Sequence, residues 1–232
     1  MSEPAETSHT LPVTLPTGVV QVPVTTYVAA DSWAVLALAH GAGAGRDHPF
    51  MVGFARAVAE AGVTTVTFDF PYRAAGRRMP GPAAHAVATW RVIGEHLASL
   101  ADGRHWFAAG KSYGGRMASM AAAEGAISPA GLVYLGYPLH PPGDPEKART
   151  AHLPDITQPQ LFVEGSNDPF IHPLTQLEEA VAACRDAEIS WVTGGGHSFE
   201  IKGAKRPADE VGAGLAVRVV EWMRAITQRP AA

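Results

Sequence analysis

The sequence predicts an α/β protein of three layers, with a mostly parallel sheet held between two layers of helices. Three observations carry this expectation. Several runs are apolar at nearly every position yet only of strand length: residues 33–39, 131–137 and 160–163. Such runs suit strands covered on both faces, as parallel strands are. They alternate with segments whose apolar residues recur at helical spacing, such as Val87, Trp90, Ile93 and Leu97. Strand alternating with helix argues βαβ units. Finally, four reactive side chains, His40, Ser112, Asp168 and His197, each follow one of the strands. Sites of open parallel sheets lie beyond the carboxyl ends of the strands.

Taken in order, residues 1–12 carry little apolar surface and are expected to form a mobile tail. One domain is expected over 13–228, and a short second tail over 229–232. Residues 19–30 hold Val20, Val22, Val24 and Tyr27 in alternation, interrupted by Pro23, and predict one or two edge strands. The strand at 33–39 empties into His40-Gly41-Ala42-Gly43-Ala44-Gly45. Asp47 is a candidate cap for a helix over about 49–61, which Gly62 ends. A strand at 63–70 is closed by Pro71, and residues 72–82 read as a loop carrying Arg73, Arg77 and Arg78. Either these arginines are simply solvated or one of them meets an anionic substrate group. A helix over 83–100 leads to a strand near Trp106 and then to Gly110-Lys111-Ser112-Tyr113-Gly114. Beyond the strand at 131–137, residues 138–158 are rich in proline and too few for a large lid, though enough to roof a small pocket. A strand at 160–163, a helix over about 174–185, a strand at 189–192 and an amphipathic helix over 207–227 complete the chain.

Composition narrows the function. The chain has 232 residues, a net charge of −4 and 47% hydrophobic residues, ample for a core. It has no run of Lys or Arg, so neither nucleic acid nor an anionic membrane is an expected partner. The single cysteine, Cys184, excludes an internal disulfide and fits a reducing compartment. Residues 1–10 lack the apolar core of a secretory signal, and no apolar run is long enough to cross a bilayer. A cytoplasmic protein is expected.

Gly110-x-Ser112-x-Gly114, between an apolar strand and a helix-compatible segment, is the nucleophile-elbow pattern. Its glycines suit a strained turn packed closely on neighbouring chain, and the Tyr113 amide then faces the site from a helix N-terminus. The same segment copies the end of a phosphate-binding loop, but His105 stands where that motif needs glycine. The loop after His40 has the opening of a dinucleotide fingerprint, but Arg46 replaces its third glycine. That loop suits the second half of an oxyanion hole, or a simple turn. A serine needs a base, and the base an orienting carboxylate. Asp168 and His197 follow Ser112 in the order Ser, Asp, His. Asp168 also fits a plain turn before Pro169, and its rivals Asp155 and Asp186 do not follow strands. Of the competing histidines, His172 lies too close to Asp168 and His140 breaks the chain order. No metal spacing is present, and neither a metal nor a cofactor is expected.

These segments together resemble the α/β-hydrolase superfamily. More narrowly they are similar to its small, lidless, dienelactone-hydrolase-like group. Phe68-Asp69-Phe70-Pro71-Tyr72 and Tyr137-Pro138-Leu139-His140 add a likeness to the branch holding testis-expressed protein 30 and NSL-complex subunit 3. The resemblance spans roughly residues 18–227. It implies an α/β-hydrolase fold without a large lid domain. It further implies Ser112 as nucleophile, Asp168 as acid, His197 as base, and the Ala42 and Tyr113 amides as oxyanion donors. Dienelactone hydrolases proper carry cysteine where this chain has Ser112. Gly43, Tyr72, Arg73 and His140 are candidates for the substrate pocket, and Lys111 either tunes the site or, as is expected, snorkels to solvent. The expected activity is cleavage of a small-molecule ester or thioester. A scaffold role without turnover, or acyl transfer on the same residues, is the alternative; the sequence names no protein partner.

Overall fold

The computed structural model describes residues 4–229, and these form one eight-stranded sheet flanked by helices. In chain order the strands are β1 (Ala5–Leu15), β2 (Gly18–Val28), β3 (Ala34–Ala39), β4 (Val63–Phe68), β5 (His105–Lys111), β6 (Leu132–Leu135), β7 (Gln160–Gly165) and β8 (Ala187–Val192). The helices are α1 (Pro49–Glu60), α2 (Pro71–Ala74), α3 (Ala83–Ala101), α4 (Tyr113–Ala123), α5 (Leu174–Ala182) and α6 (Ala208–Thr227). Across the sheet the strands run β1-β2-β4-β3-β5-β6-β7-β8. β1 pairs antiparallel with β2, and β2 with β4; every other pairing is parallel.

The apolar runs behave as doubly covered strands. Along β3, Val35, Ala37 and Ala39 enter one core, which contains residues of α3, α4 and α5. Ala34, Leu36 and Leu38 enter the other, beneath α1 and α6. All six are fully buried, so the period-two alternation of a strand is expressed as two faces of equal apolarity. α3 presents Val87, Trp90, Ile93 and Leu97 to the sheet and stops at Asp102, whose φ of 48° is left-handed. α1 starts at Pro49, with the His48 Nδ1 accepting the Phe50 N–H at 3.3 Å. The cap is therefore His48 rather than Asp47. α1 and α6 touch backbone to backbone, since a Cβ on Gly53 would overlap Asp209 and one on Gly212 would overlap Phe50.

Two expectations change. The tail expected over 1–12 is instead, from Ala5 onward, the edge strand β1, paired in continuous register from Ala5↔Val28 to Leu15↔Gly18. Its side chains from Ala5 to Thr10 stay exposed. The strand is thus held by its backbone ladder and by contacts such as Arg56 Nε donating to Glu6 Oε1 at 2.9 Å, features that apolar content does not report. Residues 1–3 and 230–232, parts of the two expected tails, lie outside the described residues. The loop expected from Tyr72 opens with the short helix α2, for which Pro71 supplies a preset φ. Residues 138–158 carry only two single-turn 3-10 segments, Pro145–Lys147 and Leu153–Asp155, so no large lid is inserted there. Among the described residues no helix is long and apolar enough to cross a membrane.

Candidate active site

β5 ends at Lys111, and Ser112 turns the chain into α4 with φ 48° and ψ −115°. A side chain other than glycine at positive φ is strained, and the surroundings hold this one in place. A Cβ on Gly110 would overlap the Gly115 nitrogen, and one on Gly114 would stand 2.6 Å from the Ala39 and His40 carbonyl oxygens. The glycines are therefore required by close approach of β3 and of the elbow's own helix.

Ser112, Asp168 and His197 converge at the carboxyl ends of β5, β7 and β8. The His197 Nδ1–H donates to Asp168 Oδ2 at 2.6 Å, and His197 Nε2 lies 2.8 Å from Ser112 Oγ. With a carboxylate on the Nδ1 side, Nε2 keeps its lone pair for the serine hydroxyl proton. Asp168 is fully buried, and its Oδ1 accepts the Phe170 N–H at 2.8 Å. The Phe170 ring stacks on His197 with centroids 4.2 Å apart. The two loops are fastened to each other: Asn167 N–H donates to Gly195 O at 2.8 Å, and Gly194 N–H donates to Ser166 Oγ at 2.8 Å. A Cβ on Gly165 would overlap the Gly195 carbonyl, so these glycines also serve a close approach.

Ala42 and Tyr113 face the same space as Ser112, and among the described residues neither amide has an acceptor. The loop bearing Ala42 is held from behind by His40, which is fully buried. Its Nδ1–H donates to Gly41 O at 2.8 Å and its Nε2 accepts the Phe70 N–H at 3.2 Å. Burial lowers the His40 pKa, in keeping with a neutral ring that accepts on one nitrogen. Asp69 secures the far end of the loop, accepting the Arg46 amide at 2.9 Å and the Arg46 guanidinium at 2.7 Å.

The cavity over Ser112 has a volume of about 450 Å³. Of the expected pocket residues, none of Gly43, Tyr72, Arg73 or His140 lines it. Gly43 and Arg73 border a different surface cleft with Asp69. Tyr72 lines a third, on the far side of Tyr113, whose ring meets it edge-on at 6.3 Å. The reason is directional: the chain leaving β4 turns into α2 and carries Tyr72 and Arg73 away from the strand end. His140 is fully buried behind the site, and its N–H donates to Phe170 O at 3.1 Å. Arg77 and Arg78 are exposed, as solvated loop residues are.

Lys111 does not snorkel. It is buried, and its Nζ donates to the His197 carbonyl oxygen at 2.6 Å. Desolvation brings its pKa down to about 8, against the pull of Asp168, Glu164 and Glu200. Arg116, Arg149, Phe50 and Met51, none of them a candidate from the sequence, also line the cavity. One signal points to Arg116: it lies four residues after Ser112, near the start of α4. Arg149 had no local signal.

The family model of the alpha/beta hydrolase domain matches residues 32–224. Among solved structures, the chain is similar to a dienelactone hydrolase from Anabaena variabilis, with a TM-score of 0.72 and 18% identity, covering 95% of this chain and 98% of that one. It is also similar to a lidless α/β serine hydrolase from Xanthomonas campestris, with a TM-score of 0.69 and 19% identity, covering 97% and 96%. Est1E from Butyrivibrio proteoclasticus matches with a TM-score of 0.68 and 15% identity, covering 95% of this chain and 99% of that one. At such identities these likenesses establish the fold.

Proposed function

The chain belongs to the alpha/beta hydrolase family, and from that premise we propose that it is a serine hydrolase cleaving small carboxylic esters or thioesters. The observation that carries this reading is the hydrogen-bonded run Asp168–His197–Ser112, whose Ser112 and His197 line the cavity. Ser112 Oγ attacks the substrate carbonyl carbon while His197 Nε2 takes the hydroxyl proton. Asp168 holds the ring in its tautomer and stabilises the imidazolium. The carbonyl oxygen becomes an oxyanion and receives the Ala42 and Tyr113 N–H groups, a contribution of roughly 3 kcal/mol per donor. His197 returns the proton to the departing alcohol or thiol, leaving an ester on Ser112. Water then attacks the acyl carbon as His197 takes its proton, and the acid leaves as His197 passes that proton to Ser112 Oγ. Every step uses groups of this chain, water and the substrate.

Within the family we place the chain nearest the branch of testis-expressed protein 30, on the segments at Phe68–Tyr72 and Tyr137–His140 quoted above. We assign its reaction to the cytoplasm, which suits the unpaired Cys184.

Labelling with a fluorophosphonate probe tests the reading. The parent protein is expected to label at Ser112, while Ser112→Ala and His197→Ala do not. Asp168→Asn should slow labelling by about 10⁴-fold, because the wrong tautomer is then favoured. A folded parent that fails to label would overturn the proposal and leave a binding role in its place.

A further inference from the structure

The cavity lining mixes two chemistries. Phe50, Met51 and Ala208 are apolar, whereas Lys111, Arg116 and Arg149 bring three cations, and among the described residues no Asp or Glu lines it. Lys111 is engaged with the His197 carbonyl. The two arginines are not engaged. Among the described residues neither side chain has an ion pair or a hydrogen bond, and the Arg116 Nε is sealed from solvent without a partner. Arg46, also half-buried, by contrast pairs with Asp69. A half-buried guanidinium without an acceptor is costly, and a like charge beside it adds to the cost. Burial lowers the Arg116 pKa; Tyr137 opposes this, while Arg149 is near enough to add to it.

The pair is also built into the frame. The Arg149 N–H donates to Leu139 O at 2.7 Å, and the Arg149 carbonyl accepts the Tyr137 hydroxyl at 2.9 Å. The Arg116 carbonyl accepts Ser119 Oγ–H at 2.8 Å, and that hydroxyl is 2.7 Å from His152 Nε2. The backbones that carry both guanidiniums are thus fixed from behind. Arg116 stands one helical turn beyond Ser112, a rise of about 6 Å along α4.

Building on the hydrolase reading, we infer that the substrate carries an anionic substituent, a carboxylate or phosphate, which binds between Arg116 and Arg149 a short spacer away from the scissile ester. An anion there accepts hydrogen bonds from both forks and relieves their mutual repulsion. The uncharged remainder of the substrate lies against Phe50 and Met51.

The test compares matched esters that differ in one charge. p-Nitrophenyl hydrogen glutarate is set against p-nitrophenyl valerate, 4-acetoxybenzoate against phenyl acetate, and 4-acetoxyphenyl phosphate against the same neutral acetate. The first pair puts the charge on the acyl group and the others on the leaving group; the last separates phosphate from carboxylate. In at least one pair the parent should favour the anionic ester by tenfold or more in kcat/KM. That ratio should fall at least tenfold in Arg149→Gln and recover in part in Arg149→Lys, with circular dichroism reporting the fold of each. Turnover of neutral esters with no anionic preference in any pair, or a preference that survives Arg149→Gln, overturns the inference and leaves the hydrolase reading intact. If nothing is labelled or hydrolysed, the hydrolase reading fails, and calorimetric titration with glutarate and inorganic phosphate decides the anion site alone. Saturable binding lost in Arg149→Gln supports it, and the absence of binding overturns it.

Discussion

Raising the pH should stabilise this protein relative to its Lys111→Met variant. The Lys111 ammonium is buried, and desolvation lowers its pKa from 10.5 to about 8. The three nearby carboxylates, Asp168, Glu164 and Glu200, pull the other way but do not cancel that loss. Below the folded pKa both states hold the proton, so the folded state bears the full cost of a buried charge. Between about 8 and 10.5 the unfolded chain keeps a proton that the fold has released, so stability rises with pH. Above 10.5 both are neutral and the curve flattens. A shift from 10.5 to about 8 corresponds to about 3 kcal/mol at 1.36 kcal/mol per unit. Methionine keeps the length of the side chain and removes the titration. The lost hydrogen bond to His197 is a largely constant offset, because a neutral amine still donates. Urea unfolding followed by tryptophan fluorescence, from about pH 7 to about pH 11, gives the difference between parent and variant without the contribution of other groups. The difference should grow in the parent's favour by about 3 kcal/mol across that range. A difference that is flat, or that falls, refutes the reasoning. It would mean that the carboxylates or entering water hold the ammonium charged inside the fold.

Two further perturbations probe the frame of the site. Glu164 is fully buried, with Oε1 accepting the Tyr137 N–H at 2.7 Å and Oε2 unpartnered, and desolvation raises its pKa well above 4.5. Between 4.5 and that raised value the fold holds a proton the unfolded chain has lost, so its contribution weakens as pH rises. Glu164→Gln keeps the Oε1 acceptor and should match or exceed the parent's stability at neutral pH, with a flatter pH dependence in chemical unfolding. A less stable variant with the parent's slope would contradict this. Gly114→Ala should destabilise by about 3 kcal/mol or more, since its Cβ would meet two carbonyl oxygens at 2.6 Å. Gly81→Ala, whose Cβ would find only the His85 ring at 3.8 Å, should stay within about 0.5 kcal/mol of the parent. Equal losses in the two would undo the packing argument at the elbow.

Most of the elements, and the order of the reactive groups, are legible in the sequence. Strand and helix are short-range properties: continuous apolar runs such as Val35–Ala39, and the three- and four-residue spacing of Val87, Trp90, Ile93 and Leu97, declare themselves within one segment. Gly110-x-Ser112-x-Gly114 is equally local, and its glycines are needed where the sequence puts them. Edge strand β1 was not legible, because its exposed side chains say nothing of the backbone ladder that holds it. The rest belonged to the tertiary structure. Ser112 and His197 are 85 residues apart, and their contact depends on which strands become neighbours in the sheet. The direction in which each loop leaves its strand is set by packing and not by composition. That direction takes Tyr72 and Arg73 out of the cavity and brings Arg149 in. Burial of Lys111 follows the same logic: the fold brings the His197 carbonyl to its ammonium, and no local signal records a partner so distant in the chain.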